Sequence, residues 1–231
     1  MTKVLAMHQA NFLPWIGYFH KMLNADVFVL LDDVKMSKNS YGNRTRIKTP
    51  TEIQWLTIPL REKGRHTYNR QPLIPNKVWA TKVWLKLQCN YARAPYWDLA
   101  NELLFEDRFN HALNNALTLF GFNYVMLHWA TSFLGIDTHI GFQSFDHIMG
   151  NKHGIAINAC RLYDCYVYLS GRGAMNYNDP QVFEDAGIEL RYQQFVCPEY
   201  PQLWGEFVPN LSIVDLIFNC GPEAGDILRN A

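Results

Sequence analysis

The sequence lacks a long apolar run: the longest, residues 27–31, is far too short to cross a lipid bilayer. It also lacks a basic segment followed by an apolar stretch near its amino end, which is the pattern of a secretory signal. We therefore expect a protein of the cytoplasm that has no membrane span.

The sequence also lacks an excess of positive or negative charge. The formal net charge is zero and the sequence pI is about 7.1, so the strongly basic character of most DNA-binding domains is missing. We predict that the protein does not bind DNA.

Cysteine motifs and cofactor motifs are missing as well. The five cysteines are an odd number without a Cys-x-x-Cys pair, which argues against a disulfide framework and a zinc ribbon. Buried free thiols are the simpler interpretation, although Cys197, beside Pro198 in a predicted loop, is a candidate nucleophile. The sequence has no P-loop, no glycine-rich NAD motif and no pyridoxal phosphate signature. We predict no metal site, and the cofactor is unknown.

What the sequence does contain is the composition of an ordinary globular protein. Of its 231 residues, 48% are hydrophobic and 18% are charged, which is enough to bury one α/β core and to exclude disorder. We therefore expect a single domain over residues 1–231.

Strand and helix patterns alternate at the start of the chain. Residues 3–7 form a short β-like run, and residues 16–24 place apolar side chains at helical spacing. Residues 27–31 (VFVLL) have the pattern of a strand buried on both faces. A β-α-β unit of this length predicts two parallel strands joined by a right-handed crossover.

The alternation continues around a helical middle segment, about residues 76–162. This segment has three apolar stripes: Trp79, Val83, Leu87 and Tyr91; Phe109, Leu113, Leu117 and Phe120, opened by Asp107; and Ile148, Lys152, Ile155, Ala159 and Leu162. Further patterns are strands at 55–60, 165–170 and 188–192, a helix at 179–186 closed by Gly187, and a last helix capped by Asn210 or Ser212 and ending near Gly221. They predict an α/β fold with an open, mainly parallel sheet, Rossmann-like or nucleotidyltransferase-like, and a helical insertion in the middle.

Ligands of open α/β sheets bind beyond the carboxyl ends of the strands, so the residues after each strand are the first candidates for a site. His8 follows the first strand, where an imidazole can act as a general base or hydrogen-bond a ligand as a neutral group. Gln9 and Asn11 add amide groups that an apolar core would not need. A histidine satisfied by loop backbone is the alternative.

Asp32 and Asp33 end the second predicted strand. Side chains alternate along a strand, so one carboxylate can face a ligand while the other caps a neighbouring turn. The first of these could bind an amine, orient His8 or hold a magnesium ion. Adjacent strand residues do not flank a common bond, which argues against the carboxylate pair of a glycosidase.

A group of cations forms the third candidate, since residues 35–70 contain nine lysines and arginines and only two acidic residues. If this stretch is extended, Arg44, Arg46 and Lys48 share one face, and their mutual repulsion is costly unless something negative lies among them. With Asn43 they predict a site for a diphosphate or a similar anion, because arginine makes bidentate phosphate contacts. A solvated charged face is the alternative.

The fourth candidate also follows a strand. Ser170, Gly171 and Arg172 lie at a strand-to-loop turn whose glycines let backbone amides approach a ligand closely. Asn176 and Tyr177 come next and could add polar contacts. A plain tight turn is the alternative.

Residues 35–40 (KMSKNS) are similar to the KMSKS signature of class I aminoacyl-tRNA synthetases. That signature follows a complete nucleotide-binding sheet, whereas here it follows the second strand, so a chance match is the better interpretation. The start of the chain also resembles nucleotidylyltransferase folds. Their His-x-Gly-His motif is replaced here by residues 14–18 (PWIGY), which argues against that catalysis.

Longer motifs carry a family resemblance. They are residues 8–19 (HQANFLPWIGYF), 25–33 (ADVFVLLDD), 43–44 (NR), 47–48 (IK), 55–59 (WLTIP), 168–171 (YLSG) and 207–215 (FVPNLSIVD). These segments resemble WbqC-like proteins, whose opening motif usually has proline where this chain has Ala10. The likeness covers nearly the whole chain.

The resemblance implies an accessory protein of O-antigen or related surface-glycan biosynthesis, of a kind suspected of adding glycyl or similar acyl groups to amino sugars. We therefore expect a transferase that moves an aminoacyl or acyl group to the amine of a nucleotide-activated amino sugar. A nucleotidyl- or adenylate-forming enzyme of the same pathway is one alternative. A non-catalytic module that binds a glycan precursor or a partner enzyme is another.

In this hypothesis His8 is the general base, Asp32 or Asp33 orients the amine or the base, and the cationic stretch binds the diphosphate. Asn210 is the polar candidate near the carboxyl end. The activated donor stays open: a thioester on an acyl carrier protein, an adenylate made by a ligase, or an aminoacyl-tRNA.

Overall fold

The computed structural model describes residues 2–35, 41–60, 67, 70–72, 78–101 and 106–231. Its strands are β1 (Val4–His8), β2 (Val27–Leu30), β3 (Arg44–Lys48), β4 (Ile53–Thr57), β5 (His139–Phe142), β6 (Val167–Ser170) and β7 (Glu189–Tyr192). Its helices are α1 (Ile16–Leu23), α2 (Val78–Tyr91), α3 (Trp97–Ala100), α4 (Glu106–Asn115), α5 (Leu119–Leu134), α6 (His153–Leu162), α7 (Pro180–Asp185), α8 (Ile213–Cys220) and α9 (Ala224–Arg229).

Five strands form one parallel sheet in the order β5-β2-β1-β6-β7. The predicted open, parallel α/β sheet is therefore confirmed. Numbered along the chain, this order reads 3-2-1-4-5, as in the first five strands of a Rossmann fold. The strand order reverses between β1 and β6, and in such sheets ligands bind at that point.

Helices cover both faces of the sheet because the side chains of the central strands alternate between two apolar layers. Leu5 and Met7 of β1 pack with residues of α6 and α7, whereas Ala6 packs with residues of α1, α5 and α8. All four residues of β2 are buried, which confirms the prediction of a strand covered on both faces. Each fully buried leucine or valine stabilises this core by roughly 1.5–3 kcal/mol.

The middle segment is not helical throughout. The stripe on α2 is buried as predicted, but the segment also contains β5, which joins the sheet beside β2. This strand was missed because it is short, partly exposed and interrupted by Gly141, so its sequence has neither an apolar run nor a clear alternation.

The second predicted stripe is divided between two helices. α4 ends at Asn115, and α5 begins after Thr118, whose hydroxyl accepts a hydrogen bond from the Gly121 amide at 3.2 Å. Leu117, between them, is 84% exposed, and Asp107 lies inside α4 rather than before it. The third stripe also starts too early in the prediction, since α6 begins only at His153.

The β3–β4 pair forms a separate antiparallel hairpin. The extended conformation predicted for the cationic stretch is confirmed, and the next strand begins slightly earlier than predicted. The predicted last helix is α8, with Ser212 at its N-cap position, and α9 follows it. Among the described residues, none of the helices is both long and apolar enough to cross a bilayer.

Candidate functional site

His8 lies at the carboxyl end of the central strand, half-buried, with its ring edge-on to Tyr18 at 4.9 Å between centroids. Its Nδ1 is 3.0 Å from the carbonyl oxygen of Gln9. A carbonyl only accepts, so the proton sits on Nδ1 and the neutral ring has its lone pair on Nε2. Burial, followed by the nearby charge of Lys21, lowers the pKa of His8 to about 4, and the bond to Gln9 offsets only part of this. The imidazole is therefore neutral near pH 7.

Lys21 is a residue that the sequence reasoning missed. It projects from α1, is 4% exposed, and donates from Nζ to the Met7 carbonyl oxygen at 2.8 Å. Burial lowers its pKa to about 8. Only the fold reveals it: every residue of α1 from Ile16 to Met22 is buried, and lysine is rarely buried without a reason.

The two aspartates after β2 have different surroundings, as the alternation of strand side chains predicts. Asp32 is 3% exposed and accepts hydrogen bonds from the amide and the hydroxyl of Ser144, so it fixes the turn after β5. Asp33 is exposed and lines a pocket of about 430 Å³. The geometry thus separates a turn-capping aspartate from one that faces open space.

This pocket lies at the carboxyl ends of β2 and β5. Its polar lining comes from Asp33, Arg70, Gln143, Ser144 and His147. Its size falls within the usual range for small-molecule sites, roughly 300–1,000 Å³. Only Asp33 of the predicted site residues contributes to it.

The turn after β6 contains one buried and several exposed candidates. The Ser170 hydroxyl is 2% exposed and accepts from Asn178 Nδ2 at 3.0 Å, so it holds the loop together. Gly171 has open space where a side chain would be, and Arg172 is exposed beside it. Because β6 is the neighbour of β1, this turn lies next to the loop that carries His8.

The remaining candidates of these two loops have structural contacts or face solvent. Gln9 donates from Nε2 to the Lys35 carbonyl oxygen at 3.1 Å, which ties the β1 loop to the segment after β2. Asn11 is 3% exposed. Asn176 and Tyr177 are exposed, and the Tyr177 carbonyl oxygen lies 3.0 Å from His153 Nε2 at the start of α6.

The cationic strand β3 does not leave its charges without partners, contrary to the argument from mutual repulsion. Arg46 donates to the Asn210 carbonyl oxygen at 3.0 Å, and Arg44 lies 4.3 Å over the Trp55 ring. Lys48 Nζ donates to the Gly205 carbonyl at 3.3 Å and also to the Glu206 carbonyl. Carbonyl oxygens and an aromatic ring provide the negative partners that the sequence analysis expected from a ligand.

The hairpin is also anchored on its other face. Thr45 donates from its hydroxyl to the Leu13 carbonyl oxygen at 2.9 Å, and so does Ser212, also at 2.9 Å. Asn43 donates to the Ile58 carbonyl at 2.7 Å. The face towards the β1–α1 loop is thus the one with Thr45, whereas Arg46 and Lys48 lie on the opposite face.

A buried carboxylate lies close to this hairpin. Asp215 is 1% exposed and accepts hydrogen bonds from the hydroxyls of Tyr91 at 2.7 Å and Tyr200 at 3.0 Å. Burial raises its pKa to about 6, although these bonds and the charge of Lys48 act in the opposite direction. The backbone amide of Lys48 donates to the Tyr91 hydroxyl at 3.2 Å, so the network links α8, α2 and the hairpin.

Cys197 does not have the surroundings of an activated nucleophile. Burial raises the pKa of its thiol, and the charge of Asp215 raises it further, although the Asn210 amide, which donates to its sulfur at 3.3 Å, acts against this. A thiol reacts as a thiolate, so a raised pKa makes it a weaker nucleophile.

The phosphate site of dinucleotide-binding folds is closed in this protein. In those folds the diphosphate sits on the amino end of the first helix. Here the Ile16 amide donates to the Leu211 carbonyl at 3.3 Å, and the Ile213 amide donates to the Pro14 carbonyl at 2.7 Å. The Trp15 ring also covers Gly17, where a Cβ would lie 2.2 Å from it. A diphosphate at this helix end would therefore have to displace these contacts.

Two further findings concern metals and the KMSKS-like segment. In the described part of the chain, no three histidine, cysteine or acidic side chains form a cluster that could hold a metal ion. Residues 36–40, which contain most of the KMSKS-like segment, lie outside the described residues.

Fold and site together define a class. The parallel sheet has Rossmann strand order, and its first-helix phosphate site is closed. A pocket with a polar lining that includes Asp33 lies at the carboxyl ends of β2 and β5, and His8 ends the central strand β1. The chain belongs to the WbqC-like protein family, whose sequence pattern matches residues 9–227. The predicted family is thereby confirmed. The chain is also 36% identical over 235 aligned positions to "Uncharacterized protein Rv1507c" of Mycobacterium tuberculosis (strain ATCC 25618 / H37Rv), with 98% of each chain covered.

Proposed function

We propose that this protein is a transferase of surface-glycan biosynthesis that adds an acyl or aminoacyl group to the amine of a nucleotide-activated amino sugar. The observation that carries the proposal is His8, a neutral imidazole at the carboxyl end of the central strand whose Nδ1 proton is held by Gln9. Its Nε2 lone pair is free of that bond and can accept a proton.

The role of His8 follows from where the protons of the amine have to go. The bound ammonium loses its first proton to solvent, because a histidine with a pKa lowered to about 4 is too weak to remove it. The neutral nitrogen then attacks the acyl carbon, and in the tetrahedral adduct its remaining excess proton is far more acidic. His8 accepts this proton and returns it to the departing donor group as the carbon–donor bond breaks. The products are an amide and the protonated donor.

We assign the diphosphate to the turn after β6 rather than to the cationic strand. Arg172 is exposed in this turn, and no atom lies within 4 Å of a Cβ built at Gly171 or Gly173, so a ligand can approach the backbone closely. Arg46 and Lys48 already donate to carbonyl oxygens of their own chain, so a diphosphate there would have to replace those bonds.

A direct test is to incubate the protein with UDP-linked and dTDP-linked amino sugars and a panel of donors. The panel contains acyl-coenzyme A, an acylated carrier protein and aminoacyl-tRNA. We expect mass spectrometry to show a nucleotide sugar heavier by one acyl group with one of these donors. We expect folded His8→Ala protein to lose this product, and full turnover by that variant would contradict the proposed role.

The same experiment, repeated with ATP and the free acyl or amino acid, separates the alternatives. Release of pyrophosphate from ATP would identify an adenylate-forming enzyme of the pathway. Binding of the nucleotide sugar without any product, for every donor, would identify a non-catalytic module that binds a glycan precursor.

A further inference from the structure

The pocket at the carboxyl ends of β2 and β5 has a volume of about 430 Å³. Of the site residues predicted from the sequence, only Asp33 lines it, and His8 does not. The rest of its lining comes largely from the segment between β5 and α6, together with Arg70. The pocket thus contains polar groups that the transfer chemistry does not use.

Gln143 is the least expected of these groups. It is 7% exposed, its backbone is fixed to the end of β2 by a 3.0 Å bond from its amide to the Leu30 carbonyl, and its side chain lines the pocket. Its Oε1 is buried and has no hydrogen-bond partner among the residues that the structure describes. A buried amide oxygen without a donor costs stability, and a ligand hydroxyl or N–H group that reaches Gln143 would remove that cost.

The charges around the pocket point to the ligand's own charges. Asp33 and Arg70 line the same pocket, and no ion pair joins either of them to another described side chain. An unneutralised carboxylate suits an amine, and an unneutralised guanidinium suits a phosphate. A ligand that carries both groups would match the pair.

The start of α6 adds a second anion-binding element. Lys152, at the N-cap position, makes no side-chain cap, and Ile155 in the first turn lines the pocket. The Gly150 backbone packs against this turn, since a Cβ there would lie 2.8 Å from the Ile155 amide nitrogen. The amino end of a helix attracts phosphate through its dipole and its free amides, and here the Gly154 amide is not free because it donates to the Asn151 carbonyl oxygen at 2.7 Å.

We propose that this pocket binds a phosphorylated amino sugar, with the amine at Asp33, the ring hydroxyls at Gln143 and Ser144, and the phosphate at Arg70 and the first turn of α6. The choice of an amino sugar rests on the proposed function, and the assignment adds where the sugar sits. Because α6 also contacts the loop after β6 through His153 and Tyr177, a diphosphate can extend from the pocket towards Arg172.

Binding without any donor tests the assignment. The probes are glucosamine 1-phosphate, glucose 1-phosphate, UMP, UDP-glucosamine, UDP-glucose and a dTDP-linked 4-amino-4,6-dideoxyhexose with its 4-hydroxy counterpart, each measured by calorimetry. We expect at least one amine-bearing probe to bind about tenfold more tightly than its hydroxyl counterpart, and Asp33→Asn to abolish that preference.

Gln143→Met should weaken every sugar phosphate about tenfold, with or without an amine, while raising the thermal midpoint of the free protein. The matched controls are Asp137→Asn and Gln88→Met. Asp137 precedes β5, at the amino ends of the strands, and Gln88 is exposed on α2. Both variants should bind the probes as the parent protein does.

Two results would overturn the proposal. One is the absence of an amine preference in every matched pair of the parent protein. The other is UMP binding that depends on Asp33 and Gln143 while glucosamine 1-phosphate does not compete, because the pocket would then hold the nucleoside. These results can be distinguished from failure of the transferase function. Amine-dependent binding without acyl transfer would support the pocket assignment and contradict the transferase function. Acyl transfer that is unaffected by Asp33→Asn and Gln143→Met would support the transferase function and contradict the pocket assignment.

Discussion

Polar residues lie close together both at the carboxyl ends of the main sheet's strands and at the β3–β4 hairpin, but their hydrogen bonding differs. At the hairpin, Lys48 donates to backbone carbonyls and Asp215 accepts from two tyrosine hydroxyls. At the sheet edge, and within the described part of the chain, Gln143 Oε1 has no hydrogen-bond partner and neither Asp33 nor Arg70 is in an ion pair.

We interpret this difference as one between polar groups that stabilise the fold and polar groups that we propose to bind a ligand. A buried charge that is hydrogen-bonded by its own chain stabilises the fold, and removing one partner is strongly destabilising. A buried group without a partner weakens the fold and is useful only when a ligand satisfies it. In the densest cluster of charge in the sequence, the Lys48 ammonium is thus satisfied by acceptors of its own chain. Arg46 Nε and Asn43 Oδ1 in the same cluster are buried without a hydrogen-bond partner among the described residues.

The largest expected effect is on turnover at the sheet edge. We expect His8→Gln to reduce transfer by about 10²- to 10⁴-fold, the usual contribution of a general base, without changing the circular dichroism spectrum. His111→Gln, exposed on α4, is the matched control and should keep full activity. Equal activity of the two variants would contradict a catalytic role for His8 at the sheet edge.

The second effect is on stability at the hairpin. Lys48→Met should lower the free energy of unfolding by about 3 kcal/mol, because several buried acceptors lose their donor and Asp215 loses a nearby cation. Binding of UDP per folded molecule should be unchanged. Lys82→Met, exposed on α2, is the control. Lost UDP binding at unchanged stability would restore the hairpin as the diphosphate site.

The two regions also respond to pH with opposite signs. The pKa of His8 is lowered from 6.5 to about 4, so the unfolded chain binds this proton first and stability decreases as the pH falls from 6.5 to 4. The pKa of Asp215 is raised from 3.8 to about 6, so the folded chain binds this proton first and stability decreases as the pH rises from 3.8 to 6.

Substitution should therefore change the slope in opposite directions. Asp215→Asn should make stability fall more steeply on acidification between pH 6.5 and 4.5, and His8→Gln should make it fall less steeply. Each residue contributes at most about 3 kcal/mol over this range. Urea unfolding at several pH values measures how the free energy of unfolding of each variant depends on pH. The same pH dependence in both variants would contradict the prediction that His8 and Asp215 act with opposite signs.

The smallest expected effect is a change in the free energy of unfolding whose sign is the informative part. Gln143→Met should raise the free energy of unfolding by about 1 kcal/mol, since a buried amide without a partner is replaced by an apolar side chain of similar shape. Thermal unfolding without ligand measures it. A decrease would show that Gln143 is satisfied in solution and belongs with the stabilising groups.

The parts of the fold that depend on local pattern could be predicted. The β1-α1-β2 unit follows from a strand, an apolar helical stripe and a doubly buried strand close together in sequence. The contrast between Asp32 and Asp33 also follows from local alternation alone. β5 could not be predicted, because its four residues gain their strand character only from pairing with β2.

The site could be predicted only where its contacts are local. His8 meets Gln9 next to it, whereas the acceptors of Arg46 and Lys48 lie more than 150 positions away and cannot be read from spacing. Gln143 and Lys21 were missed for a related reason. A lysine inside a helix or a glutamine after a strand is ordinary in sequence, and only burial makes it unusual.

The backbone bonds between residues 14–16 and 211–213 have a consequence for how the protein is made. The loop that follows His8 leaves the ribosome first, yet it is closed by residues synthesised about 200 positions later. During synthesis the sheet can begin to form while the amino end of α1 still lacks its cover. The loop that follows His8 therefore takes its final shape only after residue 213 has emerged.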